Sequence, residues 1–229
     1  MLQSFNHPII YSPFLTFYFF YFFLMTKLKM LFLTVCLSTL HAALFAQNIP
    51  DADFAAAISS QCPSCIDAGN NLLPPAQSLT SLNVSSGNIA NLTGISGFTA
   101  LTTLNCSGND LASLPALPTT LTSLNCSNNM SLSNVSGSFP NLTSLVCNSC
   151  NIGAIPASLP NLTYLNCRSN QLASIPASLP NLTYLDCGQN QLTSIPASLP
   201  NLTYLACGNK SACEYSCVSA QLDLFGLWE

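Results

Sequence analysis

Charge is scarce in this sequence. Its 229 residues hold four Lys and Arg and eight Asp and Glu, 5% in all, against about 25% in an ordinary soluble domain. The cations are Lys27, Lys29, Arg168 and Lys210; past residue 46, two basic side chains face eight acidic ones, a net charge of −6. That balance argues against a nucleic-acid partner, because phosphates need a basic face. Histidine is missing over the same stretch, since His7 and His41 both precede Gln47. Without it there is no Ser-His-Asp or Cys-His catalysis and no His-containing zinc site. No Gly-rich phosphate loop occurs. The chain is therefore read as a non-enzyme with no metal and no cofactor. Its polarity comes instead from Ser, Thr and Asn.

The N-terminal 46 residues hold two apolar blocks, Pro13 to Met25 and Met30 to Ala46, separated by Thr26-Lys27-Leu28-Lys29. Residues 25–46 have a basic start, an apolar middle and small residues near the end, the layout of a secretory signal peptide. Cleavage is expected after Ala46, with Ala43 as the alternative. Residues 1–24 are read either as an extension ahead of a true start at Met25 or as a membrane segment. In the second case Lys27 and Lys29 would sit at a cytoplasmic turn. Both blocks are shorter than the ~20 residues of a spanning helix. Contact with a membrane is expected only through this leader, if it stays uncleaved.

Internal repetition governs the rest. LTYLNCRSNQLASIPASLPN (162–181) and LTYLDCGQNQLTSIPASLPN (182–201) nearly coincide, and LTYLACGNK follows from Leu202. The first leucine of each unit falls at Leu79, Leu101, Leu121, Leu142, Leu162, Leu182 and Leu202. The shared frame is L-T-x-L-x-C-x-x-N-x-L-x-x-I/L-P. It resembles the leucine-rich repeat, L-x-x-L-x-L-x-x-N/C-x-L, and most of all the short bacterial class closed by Leu-Pro or Ile-Pro. The first unit, NIANLTGISGFTAL, is similar to the internalin type. The resemblance covers residues 79–209. It implies a mainly β solenoid, with parallel strands on a concave face and an extended or 3₁₀ convex side. It also implies an exported or cell-surface bacterial protein that binds a partner.

The residues support that fold independently. In x-L-x-C, Leu and Cys fall on one face of a short strand. The inward pairs run from Leu82 and Val84 through Leu104 and Cys106, Leu124 and Cys126, Leu145 and Cys147, Leu165 and Cys167, and Leu185 and Cys187 to Leu205 and Cys207. Asn109, Asn129, Asn170 and Asn190 then sit where a buried amide satisfies the turning backbone, and Cys150 takes that place in the fourth unit. Prolines such as Pro156, Pro160, Pro176 and Pro180 exclude a helix on the return path. One unit cannot bury its own apolar edge, so the ends need covers. Residues 47–78 are the expected N-terminal cap, with Asp51 starting a helix that turns Phe54 and Ile58 inward. Residues 210–229 are a C-terminal cap or a truncated end.

The twelve cysteines divide by place. The six inward ones of the repeats are read as buried thiols acting as small hydrophobes, with a metal or disulfide ladder as the alternative. Cys62 with Cys65, and Cys213 with Cys217, are read as local disulfides. Cys62-Pro63-Ser64-Cys65 lacks the preceding buried strand of a redox C-x-x-C. Asp67-Ala68-Gly69-Asn70-Asn71 is a polar turn rather than an EF-hand loop, since Ser78 stands where that loop needs Glu. The N-L-T sequons at Asn91, Asn141, Asn161, Asn181 and Asn201 follow from the repeat.

The outward strand positions read Ser81, Thr103, Ser123, Ser144, Tyr164, Tyr184 and Tyr204, then Asn83, Asn105, Asn125, Val146, Asn166, Asp186 and Ala206. The face is small and polar for four units and aromatic for three. Duplication of a strand-favouring Tyr explains such a column without any ligand. A binding surface explains it equally, because exposed aromatics are enriched at interfaces. The candidate ligand-binding residues are Tyr164, Tyr184 and Tyr204 with Asn166, Asp186 and Arg168, as a flat aromatic strip for a protein or glycan at the cell surface. The alternative is a structural surface spacer with no specific ligand.

Overall fold

The computed structural model describes residues 47–208. Residues 1–46, with the leader and signal peptide read there, lie outside the described residues, as do Cys213, Cys217 and the whole 210–229 segment.

Seven three-residue strands form one parallel sheet in chain order. They are β1 (Ser81–Asn83), β2 (Thr103–Asn105), β3 (Ser123–Asn125), β4 (Ser144–Val146), β5 (Tyr164–Asn166), β6 (Tyr184–Asp186) and β7 (Tyr204–Ala206). The register aligns the repeats without slippage: Leu82, Leu104, Leu124, Leu145, Leu165, Leu185 and Leu205 pair in succession. This is a leucine-rich-repeat solenoid, mainly β. The return path is extended, as its prolines require. In the first unit it also holds a 3₁₀ turn at Ile95–Gly97, and two more, Pro63–Cys65 and Pro74–Ser78, precede β1.

Leu and Cys fill the interior. Leu104, Leu124, Leu145, Leu165 and Leu185 are at most 1% exposed, as are Cys106, Cys126, Cys147, Cys167 and Cys187. At the last described turn Leu205 and Cys207 are only half-buried. Cys106, Cys126, Cys147, Cys150 and Cys167 carry free thiols. Among the described residues no group of three His, Cys, Asp or Glu is placed to hold a metal ion.

The Asn ladder ties each turn to the one before. Asn170 Nδ2 donates to Cys147 O at 2.8 Å and Cys167 O at 3.0 Å, while its Oδ1 accepts from Ile152 N–H at 3.0 Å. Asn129 does the same with Cys106 O, Cys126 O and Leu111 N–H, and Asn190 with Cys167 O, Cys187 O and Leu172 N–H. Asn109 accepts from both Gly87 and Ile89. No buried side-chain nitrogen or oxygen among the described residues lacks a partner.

Cys150 breaks the ladder. Its thiol makes long contacts to Cys126 O (3.4 Å) and Asn148 O (3.6 Å), but a thiol is a poor acceptor for a backbone N–H. The preceding unit carries one extra residue between Asn129 and Leu132, which accounts for the longer step from Leu121 to Leu142. That residue forms a turn in which Leu132 N–H donates to Asn129 O at 3.0 Å. The inserted residue thus satisfies a donor that an amide at position 150 serves elsewhere.

Before β1, helix α1 (Ala52–Gln61) turns Phe54 and Ile58 into the core, both fully buried. Asp51 Oδ1 caps it by accepting from Phe54 N–H, and Asp51 Oδ2 accepts from Ala90 and Asn91 N–H in the first repeat. Gln61 closes the open edge of β1 as a neighbouring strand would: its Oε1 accepts from Asn83 N–H and its Nε2 donates to Asn83 O. An edge strand otherwise exposes such groups to unwanted pairing. Cys62 and Cys65 are disulfide-bonded just after the helix. Asp67 Oδ1 accepts from the Gly69 and Asn71 N–H groups of its own turn, which lower its pKa; the carboxylate is committed locally.

Candidate functional site

The strand register brings Tyr164, Tyr184 and Tyr204 into one column. Ring centroids are 4.3 Å apart for Tyr164 and Tyr184, with planes 10° from parallel. For Tyr184 and Tyr204 the values are 4.4 Å and 2°. Strand separation sets the spacing, and flat rings at that distance settle into an offset stack.

The stack corrects the expectation of a flat strip. Each ring face between neighbours is covered by the next ring, so the column offers solvent its ring edges and phenol hydroxyls. A sugar lying along the strip would find the faces between the rings covered and only the outer faces at the two ends of the stack open. Burial follows the order of the stack: Tyr164 and Tyr184 are half-buried, while Tyr204 is 49% exposed. The Tyr184 phenol is pushed up to about 12, first by desolvation between its neighbours and then by its hydrogen bond with Tyr164. The Tyr184 phenol stays a neutral donor at physiological pH.

The flanking polar residues are partly committed. Asn166 Oδ1 accepts from Arg168 N–H at 3.3 Å, and Asp186 Oδ1 from Gly188 N–H at 3.2 Å. Asn105 and Asn125 make the same local turn to Ser107 and Ser127. The second outward column therefore shapes the strand ends. Arg168 and Asp186 approach to 4.0 Å, with the Arg side chain 44% exposed. A pair so exposed contributes at most about 1 kcal/mol.

Beside the Tyr column runs a second feature that the sequence reading passed over. Asn161, Asn181 and Asn201 donate Nδ2 to Pro140, Pro160 and Pro180 O at 2.7–2.8 Å, and Asn141 donates to Thr119 O at 3.0 Å. Thr143, Thr163, Thr183 and Thr203 donate Oγ1 to the Thr carbonyl one turn earlier at 2.9–3.0 Å. These residues line a shallow groove of about 670 Å³. From Asn141 onward the N-L-T recurrence is thus a structural ladder, its signal being Asn one residue after Pro and two before Thr.

The leucine-rich-repeat family, described as Leucine Rich repeats (2 copies), matches residues 140–179, 160–197 and 180–213. No curated protein matches the chain. Solved structures of similar fold include internalins. The functional domain of InlJ from Listeria monocytogenes, described as including a cysteine ladder, shares 30% identity over 71% of this chain and 34% of its own, with a TM-score of 0.46. Internalin C2 from the same species shares 22% identity over 75% of this chain and 91% of its own, at 0.55. YopM, a leucine-rich effector protein from Yersinia pestis, shares 27% over 60% and 44%, at 0.50. The chain spans about a third of the InlJ domain and under half of YopM.

Proposed function

We propose that this chain is an exported, non-enzymatic binding module of the short bacterial repeat class, which recognises a protein through the concave face around Tyr164, Tyr184 and Tyr204. The observation that carries the reading is the stacked Tyr column itself. Three large rings stand on an outward face whose other strands hold Ser, Thr and Asn, with Val146 the one apolar exception. Ring edges and aligned hydroxyls suit a protein surface, with hydrogen-bond acceptors and small apolar contacts, better than the flat face of a sugar. The signal-peptide layout of residues 25–46 supports export.

Cell binding by labelled protein tests this. Changing all three Tyr to Ser should cut binding to whole cells at least tenfold. The variant should stay folded, losing about 1–3 kcal/mol with its two stacked pairs. Changing Ser81, Thr103 and Ser123 to Ala should leave binding intact, and protease treatment of the cells should remove it. Normal binding by the Tyr variant contradicts the proposal. Binding that survives protease on the cells contradicts the protein partner.

A further inference from the structure

The outward face changes character in a single step between β4 and β5. The register sets Ser144 opposite Tyr164, and Ser123 opposite Ser144. One face of Tyr164 is covered by Tyr184. On the other side the next place in the column belongs to a serine, and among the described residues no ring stacks there. The second outward column changes at the same strand. Val146 stands where β1, β2 and β3 hold Asn83, Asn105 and Asn125 and where β5 holds Asn166. Val146 is half-buried. The free face of Tyr164 therefore forms the wall of a notch, and Ser144 and Val146 form its floor.

The occupant that fits is a ring. The stack repeats at 4.3 and 4.4 Å, so a planar group resting over Ser144 meets Tyr164 as Tyr164 meets Tyr184. An aliphatic chain would cover Val146 but leave the ring face largely bare. The apolar floor lies where a polar one would hold water against the edge of an entering ring. Resting on the reading of this face as a protein-binding surface, we propose that the notch of Tyr164, Ser144 and Val146 receives one aromatic side chain of the partner, which completes the column as a fourth ring.

N-acetyl-tryptophanamide serves as the probe, with methyl glucoside as the competing chemistry. In methyl NMR spectra of the whole protein, the indole compound should shift the Val146 methyls upfield and saturably at millimolar concentration, and the glucoside should not. S144Y supplies the fourth ring from the chain itself and should abolish the shift with an unchanged unfolding midpoint, since Tyr suits an outward strand position. V146N installs the residue of the neighbouring strands and should weaken, severalfold, the shift the indole compound causes in the aromatic ring resonances of Tyr164. Unmoved Val146 methyls, an equal shift in S144Y, or a larger response to the glucoside each overturn the inference. On cells, S144Y should lose at least tenfold in binding. If S144Y binds as wild type while the triple Tyr variant does not, the notch is wrong and the face stands. If both bind as wild type, both readings fall.

Discussion

Above pH 9 this protein should lose stability steeply and unfold by roughly pH 11. The cause is the column of buried thiols. Burial pushes Cys106 and Cys167 up from 9.0 to about 12, and raises Cys126 and Cys147 well above their ordinary value, with neighbouring thiols adding to the effect on the latter two. The unfolded chain ionises these groups near 9, so between 9 and 12 it holds fewer protons than the folded chain. The stability is fully present below 9 and drains away as pH rises. Each such thiol removes about 1.4 kcal/mol per pH unit. Four of them exhaust a typical stability of about 5–15 kcal/mol within two or three units. Replacing Cys106, Cys126, Cys147 and Cys167 together by Val should move the alkaline midpoint up by roughly one unit, because Val84 already fills the same place in β1. Circular dichroism against pH, under reductant, checks this. An unchanged midpoint would mean that the thiols do not control the transition.

The second large effect concerns Asn170→Ala. The side chain is 5% exposed and serves three backbone groups that water does not reach. Removing it orphans the Ile152 N–H, takes the Nδ2 donor from Cys147 O and leaves Cys167 O with only the bond from Asn190, which should cost about 3–5 kcal/mol in urea unfolding. Asn190→Ala should cost less, because that residue is only half-buried. Cys150→Asn should gain little despite restoring the motif, since Leu132 N–H is already satisfied by Asn129 O. A large gain there would contradict the link drawn between Cys150 and the inserted residue.

Much of this architecture is legible in the chain. Leucines spaced by one turn, followed by Thr-x-Leu-x-Cys in six units and Thr-x-Leu-x-Val in the first, dictate both the register and the inward face, because a one-residue slip would turn every Leu to solvent. The Asn ladder is legible for the same reason: a polar residue recurring inside an apolar frame must meet backbone groups. Strand spacing also gives the distance between the Tyr side chains. Ring orientation is not legible, because it is decided by how three neighbouring rings pack on one another. A strip of faces and a stack of edges have the same sequence. Nor does sequence show that Gln61 would reach Asn83 to seal the edge of β1, a contact 22 residues distant made by a common side chain on a helix. The detour at Leu132 hides as a spacing of 21 among spacings of 20 until the missing amide at Cys150 gives it a reason.

Photo-cross-linking from within the Tyr column tests the central claim most directly. A benzophenone amino acid at position 184 sits inside the stack; at position 178 it sits on an exposed part of the return path. With whole cells as bait, irradiation should give one protease-sensitive adduct from position 184 and none from position 178. Changing Tyr164 and Tyr204 to Ser should remove that adduct. Equal adducts from both positions, or none from position 184, would contradict the assignment of function to the concave face.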